Sequence, residues 1–425
     1  MNLFKAIGRQ LMRLGNSISG DLTWKEMEKY FIEGGDVGAS AAGVRVSADT
    51  AMKVAAVWGC VRLISAAVAT CPVRVYRGDR YGERVLPKQR HPLASVLRDA
   101  PSPHLTAACF WRAGLQHKLL AGNFLAHIRR DTAQRPNGLL LLNPASVAVY
   151  QAHEVGRTDR EPEELFYRVN WDDGSWSWVD AADMIHVPNL GWNGKRGMST
   201  VAYGAQTMGL ALAAEESSAR FFSNGMQARV VLQYPKQVSD STAKQLREQY
   251  AKKHAGVDRA GTPLILTEGG EAKSISISAV DAQLLESRQF SVTDICRFFG
   301  VPPVMIGESD KTTSWGSGVE QMGRWFVTYV LNDHFTAIEQ ELDRKLFGST
   351  GYFAEFDEAE LLRGDTTARA NYYKAALGSL QTPAWMTPNE ARAAEGFGPV
   401  EGGDELLRPV EKAPAEPTPG TGGQQ

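Results

Sequence analysis

Between Ser278 and Phe347 the pattern of apolar and polar positions predicts a helix, an abrupt stop, a polar loop and a second, much longer helix. Ser278-Ala-Val-Asp281 has the form of a capping box. Val280, Leu284, Leu285, Val292, Ile295, Cys296 and Phe299 follow at helical spacing. Gly300-Val-Pro-Pro303 ends that helix, because proline has no N–H and keeps the preceding residue out of helical angles. The segment from Gly307 to Ser317 has almost no apolar content and reads as a loop. Ser317-Gly-Val-Glu320 is a second capping box, and the helix behind it runs to Phe347, about 30 residues or roughly 45 Å. A compact enzyme seldom needs such a rod. A wall spanning a large assembly does, and the loop at its head is placed to touch a moving ligand.

Upstream, residues 1–46 read as an arm with a short helix, a segment around Trp24 to Phe31 and a Gly/Ala-rich stretch, and order is expected from Ser47. Val54 to Val68 predicts a buried helix over about 50–70. Pro72-Val-Arg-Val-Tyr76 alternates as a strand, and Gly78-Asp-Arg-Tyr-Gly82 turns it back. His91-Pro-Leu opens a helical stretch, and Phe110–Leu120 is another. Strand patterns follow at 124–128, 139–142, 147–150, 166–169 and 184–187. Gly191–Gly197 is a loop. Ser199–Phe222 is a helix rich in alanine and other small residues, stopped by Asn224-Gly225 as a left-handed cap. An α/β insert follows, with strands at 228–234, 264–267 and 273–278 and a helix from Ser239 or Ser241 to Gly256. Two long helices thus flank a small module, like struts carrying a foot. Beyond Gly348 come a strand near Tyr352–Phe356, a helix from Thr366 to Leu380, and a third capping box at Thr387-Pro-Asn-Glu390. From Arg408 the Pro/Gly/Glu/Gln-rich composition predicts disorder.

Composition narrows the class. A chain of 425 residues implies two to four packing units, and 43% hydrophobic with 22% charged is ordinary for a globular protein. No apolar run approaches the ~20 residues that cross a bilayer, so no membrane role is expected. The formal charge of −2 argues against gripping nucleic acid by charge alone. Cys60, Cys71, Cys109 and Cys296 are far apart and read as small buried hydrophobes of a reducing compartment.

The search for chemistry is mostly negative. There is no phosphate-binding G-x-x-x-x-G-K-[ST] loop, no H-E-x-x-H, no Cys/His metal spacing and no nucleophile elbow. Hence no enzyme activity, cofactor or metal is expected. His186, ending an apolar strand, reads as a satisfied structural histidine. Asp172-Asp173 with Gly174 reads as a hairpin turn rather than a carboxylate dyad. Glu215-Glu216 do not share a helical face and are assigned to solvent or an interface. Trp325, Phe326 and Tyr329 read as core or subunit packing. Trp315 stands apart, an aromatic in a Gly/Ser loop, either anchoring that loop or touching a ligand; Lys311 is the loop's one cation.

Taken in order, several segments resemble the portal proteins of tailed bacteriophages, in the branch with Hong Kong-type (HK97-like) siphophage heads. They are Ala51-Met-Lys-Val-Ala-Ala-Val-Trp-Gly-Cys-Val-Arg-Leu-Ile64 with Cys71-Pro-Val-Arg-Val-Tyr76, His91-Pro-Leu, Leu120-Ala-Gly-Asn-Phe124, Leu142-Asn-Pro144, Asp183-Met-Ile-His186, Gly197-Met-Ser-Thr200, Phe222-Ser-Asn-Gly225, Thr387-Pro-Asn-Glu-Ala-Arg392 and Glu401-Gly-Gly-Asp404. The most specific is Phe298-Phe-Gly-Val-Pro-Pro303 followed by Gly307. The likeness spans roughly 47–407. Relatives often carry a proline midway along the long helix; here Leu331-Asn-Asp333 stands, which leaves a kink there open.

The resemblance implies an α+β portal fold assembled as a ring, usually dodecameric, at one capsid vertex. It implies an N-terminal arm (1–46), a wing (47–198 and the long helix, 318–350), stem helices (199–224 and 279–306), a clip (225–278), a tunnel loop (307–317), a crown (351–407) and a disordered tail (408–425). Glu308, Ser309, Asp310, Lys311, Thr312, Thr313, Ser314 and Trp315 would face DNA. Ala213, Ala214, Glu215 and Glu216 would form stem contacts between subunits. The implied function is a channel through which double-stranded DNA is packaged and ejected without regard to sequence, and which nucleates head assembly. The implied partners are further copies of the chain, the terminase large subunit, a head–tail adaptor or neck protein, and the major capsid and scaffold proteins. The implied setting is the virion, after assembly in the host cytoplasm. A packaging enzyme, which needs a P-loop or a carboxylate cluster, and another oligomeric head or tail protein are the competing classes.

Overall fold

The computed structural model describes residues 40–82, 84–87, 90–223, 230–233, 271–274, 291–308, 317–358, 361, 366–379 and 382–407. The chain divides into two compact units, Met1–Asp357 and Glu358–Gln425. The first unit mixes helices with small antiparallel sheets, as an α+β fold requires.

Order begins earlier than Ser47. Ser40 and Val46 are buried, the Ala41 N–H donates to the Gln206 side chain, and Ser40 occupies the space a Cβ on Gly209 would need. The end of the predicted arm therefore belongs to the body. A helical turn, Ala48–Ala51, carries a capping box between Ser47 and Thr50. Helix α1 (Ala55–Thr70) buries Val57, Cys60, Val61, Ile64 and Val68. Strand β1 (Val73–Gly78) turns into β2 (Arg84–Val85), as the glycines predict. Helix α2 (Pro92–Arg98) is capped by the His91 ring, and α3 (Ala107–Ala121) by Thr106.

Two three-stranded sheets follow, β4-β3-β8 and β5-β6-β7, from β3 (Asn123–Arg130), β4 (Pro136–Leu141), β5 (Val147–Gln151), β6 (Leu165–Asn170), β7 (Trp176–Asp180) and β8 (Met184–Pro188). Between them Leu125, Leu142, Val147, Tyr167, Val169, Val179 and Met184 form one apolar core. Strand β7 has no counterpart in the sequence reading, because its outward Trp176 and Trp178 blur the alternation. The Asp172-Asp173-Gly174 segment is the turn before it: Asp173 accepts from the N–H and hydroxyl of Ser175.

The predicted helix 199–224 is interrupted at Gly204, giving α4 (Thr200–Tyr203) and α5 (Ala205–Ser223). In the insert, β9 (Val230–Gln233) pairs antiparallel with β10 (Glu271–Ser274). The helix expected at 239–256, the strand at 264–267 and the cap at 278–281 lie outside the described residues. So do nearly all of the arm and the tail from 408.

Helix α6 (291–299) precedes the proline stop, and α7 (317–347) is the predicted rod. This rod is not uniform: Val327–Leu331 and Asp343–Phe347 are π-helical. The buried stripe explains why. From Val327 through Leu331, Phe335, Ile338 and Leu342 to Leu346 the stripe advances nineteen residues in five turns. A helix of 3.6 residues per turn would carry that stripe about 100° off the core by its end. Wider π turns take up the extra residue, and the first ends at Asn332, where the sequence left a kink open.

Strand β11 (Tyr352–Phe356) pairs with β1 along its length, in a sheet ordered β11-β1-β2. The segment expected to begin the crown is thus part of the first unit, and the division falls after Asp357. Phe356 packs at a tilt on Phe335 of α7, ring centroids 5.0 Å apart, and meets Trp111 of α3 edge-on, which ties strand, rod and α3 into a second core. The second unit contains α8 (Thr366–Ala376) and α9 (Pro388–Ala394), the latter with the Thr387–Glu390 capping box.

Candidate channel site

The most specific sequence motif folds into two glycine-capped turns directly ahead of residues 309–316. At the end of α6, Gly300 has φ +68°. Its N–H donates to Arg297 and the Val301 N–H to Cys296, the two bonds of a Schellman cap. Pro302 and Pro303 start a 3₁₀ turn, Pro303–Ile306. Gly307, φ +93°, closes it in the same manner: its N–H donates to Val304 and the Glu308 N–H to Pro303. Two successive left-handed glycines therefore reverse the chain twice within eight residues. Both positions disfavour any residue with a Cβ.

Three elements hold this mount. Gly59 on α1 lets Ile306 approach: a Cβ there would lie 3.2 Å from the Ile306 side chain. Cys60 Sγ lies 3.9 Å from Cys296 Sγ, and the bond it offers holds the Cys60 thiol protonated while lowering Cys296. At Gly204, between α4 and α5, a Cβ would press on Met208 Cε at 2.9 Å and approach the Phe298 ring at 3.4 Å. The break between α4 and α5 is thus the place where α6 crosses.

A second node joins three of the sequence segments. The side-chain oxygen of Asn123 accepts from the Gly197 N–H (2.8 Å) and from His186 Nε2 (2.9 Å), while its amide donates to the Gly197 carbonyl. The Tyr167 hydroxyl donates to His186 Nδ1 at 3.0 Å. Burial, then the nearby Arg196 and Lys345, push His186 down to about 3, so it is neutral. Gly122, the C-cap of α3, and Gly197, in the loop before α4, lie so close that a side chain on either would enter the backbone of the other segment. His186 is the structural histidine the sequence predicts, and this node locks the start of α4 to the sheet.

The sequence reading missed another buried pair. Lys118 Nζ lies 3.0 Å from His334 Nδ1, joining α3 to the rod. Burial pushes Lys118 down to about 8, opposed by Asp333, and pushes His334 down to about 3, helped by Lys118. A helical-spacing argument cannot find such a pair, because lysine in a pattern is read as solvated.

Among the predicted channel residues, Glu308 is half-buried at the end of the mount, and Ser309, Asp310, Lys311, Thr312, Thr313, Ser314 and Trp315 lie outside the described residues. On α5, Ala213, Ala214 and Glu215 are half-buried and Glu216 is exposed. Phe326 is core, as predicted. Trp325 and Tyr329 are outside this chain's own core, 46% and 69% exposed with ring centroids 5.7 Å apart, which leaves the subunit-packing reading for them. Cys109 is likewise exposed, whereas the other three cysteines are buried. Among the described residues, no group of His, Cys, Asp and Glu is arranged to hold a metal and no helix is long and apolar enough to cross a membrane.

The rod α7, the two glycine caps ahead of it and the β9–β10 pair between α5 and α6 follow the order of elements that the resemblance to phage portal proteins implies. The family model for phage portal proteins matches residues 55–396, and the chain belongs to that family. The portal protein of Enterobacteria phage HK97 is 31% identical over 366 residues, covering 85% of this chain and 83% of its own. The probable portal protein of Streptomyces phage phiC31 is 30% identical over 377 residues, covering 86% and 79%. Among solved structures, an HK97-family phage portal protein from Corynebacterium diphtheriae superposes with TM-score 0.55 at 18% identity, over 76% of this chain and all of that one. The neck of a native gene transfer agent particle, computed with C12 symmetry, contains a chain matching at TM-score 0.54 and 20% identity, over 85% and 98%. The family is structural rather than enzymatic.

Proposed function

We propose that twelve copies close into a ring at one capsid vertex and form the channel through which double-stranded DNA enters and leaves the head. The observation that carries this reading is the mount: α6, two left-handed glycine caps and the rod α7 bracket the 309–316 segment between rigid elements fixed to α1. The 199–224 and 279–306 helices act as the stem, and the 225–278 insert as the clip. The clip docks the terminase large subunit during packaging and a head–tail adaptor or neck protein afterwards. Major capsid and scaffold proteins meet the ring's outer surface when it nucleates the head in the host cytoplasm.

A conduit must not hold its cargo tightly. Each phosphate neutralised by Lys or Arg releases counterions and adds affinity. Twelve subunits of formal charge −2 sum to about −24, so the ring as a whole does not attract DNA. A circle of Lys311 and Trp315 side chains supplies a weak grip that is blind to sequence, since backbone contacts carry no base information.

The test is a cryo-electron microscopy map of the purified, assembled protein. An axial hole wide enough for a duplex, with residues 308–316 turned toward it, is expected. A loop turned outward, or an obligate monomer, overturns the reading. ATP hydrolysis and nuclease assays of the same material are expected at background.

A further inference from the structure

The outward face of the β5-β6-β7 sheet carries a run of aromatic and cationic side chains that neither core nor channel uses. Tyr150 and Trp178 meet with ring centroids 5.5 Å apart, Trp178 and Trp176 with 6.2 Å, and the Arg168 guanidinium lies 4.7 Å from the Trp176 centroid. The register puts Arg168 directly opposite Trp178. Trp176 is 53% exposed and Trp178 45%. The other arginines beside this face are satisfied: Arg157 pairs with Asp159, and Arg160 with Glu164. Arg168 has no carboxylate partner among the described residues, and its buried Nε has no hydrogen-bond acceptor. Trp, Tyr and Arg are the residue types that dominate binding energy at interfaces. A guanidinium lying on an indole still presents its fork of N–H donors to an incoming carboxylate.

We propose that this face docks the segment Asp21–Asp36 of this chain. That segment, Asp21-Leu-Thr-Trp-Lys-Glu-Met-Glu-Lys-Tyr-Phe-Ile-Glu-Gly-Gly-Asp36, holds five acidic residues against two lysines, a net of 2 − 5 = −3. Trp24, Met27 and Phe31 recur at helical spacing, with Glu28 four residues after Trp24 on the same side. The segment therefore offers what the face lacks: aromatic surface for the exposed tryptophans and a carboxylate for Arg168. Tethering helps. Ser40, only four residues beyond Asp36, is pinned against Gly209, so the segment is tethered to the same compact unit that carries the face.

Hydrogen–deuterium exchange on the assembled full-length protein tests it. Amides of residues 22–35 are expected to exchange at least about tenfold slower than an unstructured peptide of the same sequence. Arg168→Glu should abolish that protection, and adding Glu28→Lys to it should restore part of it by reversing both charges. Peptides covering β3 serve as the folding control; if Arg168→Glu disturbs them, Trp178→Gln on the exposed face replaces it, with loss of protection again expected. Exchange of 22–35 at the unstructured rate in the unaltered protein overturns the proposal. So does protection that the folded variants leave unchanged, since the segment would then be held elsewhere.

Discussion

Arg80 Nη1 lies 2.5 Å from Glu339 Oε2, across 259 residues of sequence. The same guanidinium grips Asp343 Oδ2 at 2.6 Å and the Ala354 carbonyl at 2.6 Å. Each carboxylate uses its second oxygen on β11: Glu339 accepts from the Phe356 N–H and Asp343 from the Ala354 N–H. One arginine from the β1–β2 turn thus fastens the rod to the sheet edge. Burial pushes Glu339 up toward the neutral acid, and Arg80 with the Phe356 N–H opposes it.

Arg80→Met should therefore destabilise the protein by about 3–5 kcal/mol, because two largely buried carboxylates lose their partner. Glu339→Gln, which keeps the bond to the Phe356 N–H, should cost clearly less. Urea midpoints of the two variants check the order; a smaller loss for Arg80→Met contradicts the arrangement.

Acid should weaken the fold through two histidines. His186 and His334 sit near 3 in the folded protein against an ordinary 6.5, so the unfolded chain binds more protons between those values. Their contribution is complete above about pH 6.5 and is lost as pH falls toward 3. Each steepens the decline by up to about 1.4 kcal/mol per pH unit. Lys118 acts at the other end: folded near 8 against 10.5, it makes stability rise with pH between those values. Denaturant midpoints measured across pH should show the alkaline rise vanish in Lys118→Met and part of the acid decline vanish in His334→Gln. Unchanged profiles in both variants contradict the assignment.

The thiols of Cys60 and Cys296 should form a disulfide on mild oxidation with oxidised glutathione. Rotation about each Cα–Cβ bond brings sulfurs now 3.9 Å apart toward the ~2.05 Å of a bond. Cys296, whose thiol is the more acidic of the two, attacks the glutathione disulfide as thiolate and releases one glutathione; the Cys60 thiol gives up its proton as its sulfur displaces the other, so two protons leave with the two reduced glutathiones. Exposed Cys109 should instead stop at a mixed disulfide. Non-reducing peptide mapping decides; absence of a 60–296 linked peptide, with Cys109 modified, goes against it. The bond would clamp the loop mount to α1.

Ala213→Trp and Ala214→Trp should impair ring assembly more than folding of the subunit. Both alanines are half-buried on α5, and small side chains let neighbouring helices approach closely. Size-exclusion chromatography beside circular dichroism is the measure. Normal rings from both variants remove the case for that helix as a contact surface.

Local physics was legible in the chain. The proline stop after Phe299, the capping box at Thr387 and the β1–β2 turn depend on residues within a few positions of each other, and glycine, proline and capping side chains act at that range. The rod was legible for the same reason, since an apolar stripe repeats inside one element. The family likeness was carried by segments such as Leu120–Phe124 and Gly197–Thr200, whose purpose, the Asn123–His186–Gly197 node, no single segment reveals.

What the sequence determined by itself was therefore where the chain turns, stops and runs. Tertiary structure alone decided what each run leans on: β11 against β1, the π turns that keep Val327 and Leu346 on one core, the interruption at Gly204 under Phe298, and Lys118 inside rather than in water. Those outcomes hinge on surfaces that different elements bring together, up to 283 residues apart for Val73 and Phe356, and the free energy of burying them overrides the local preference of any one stretch.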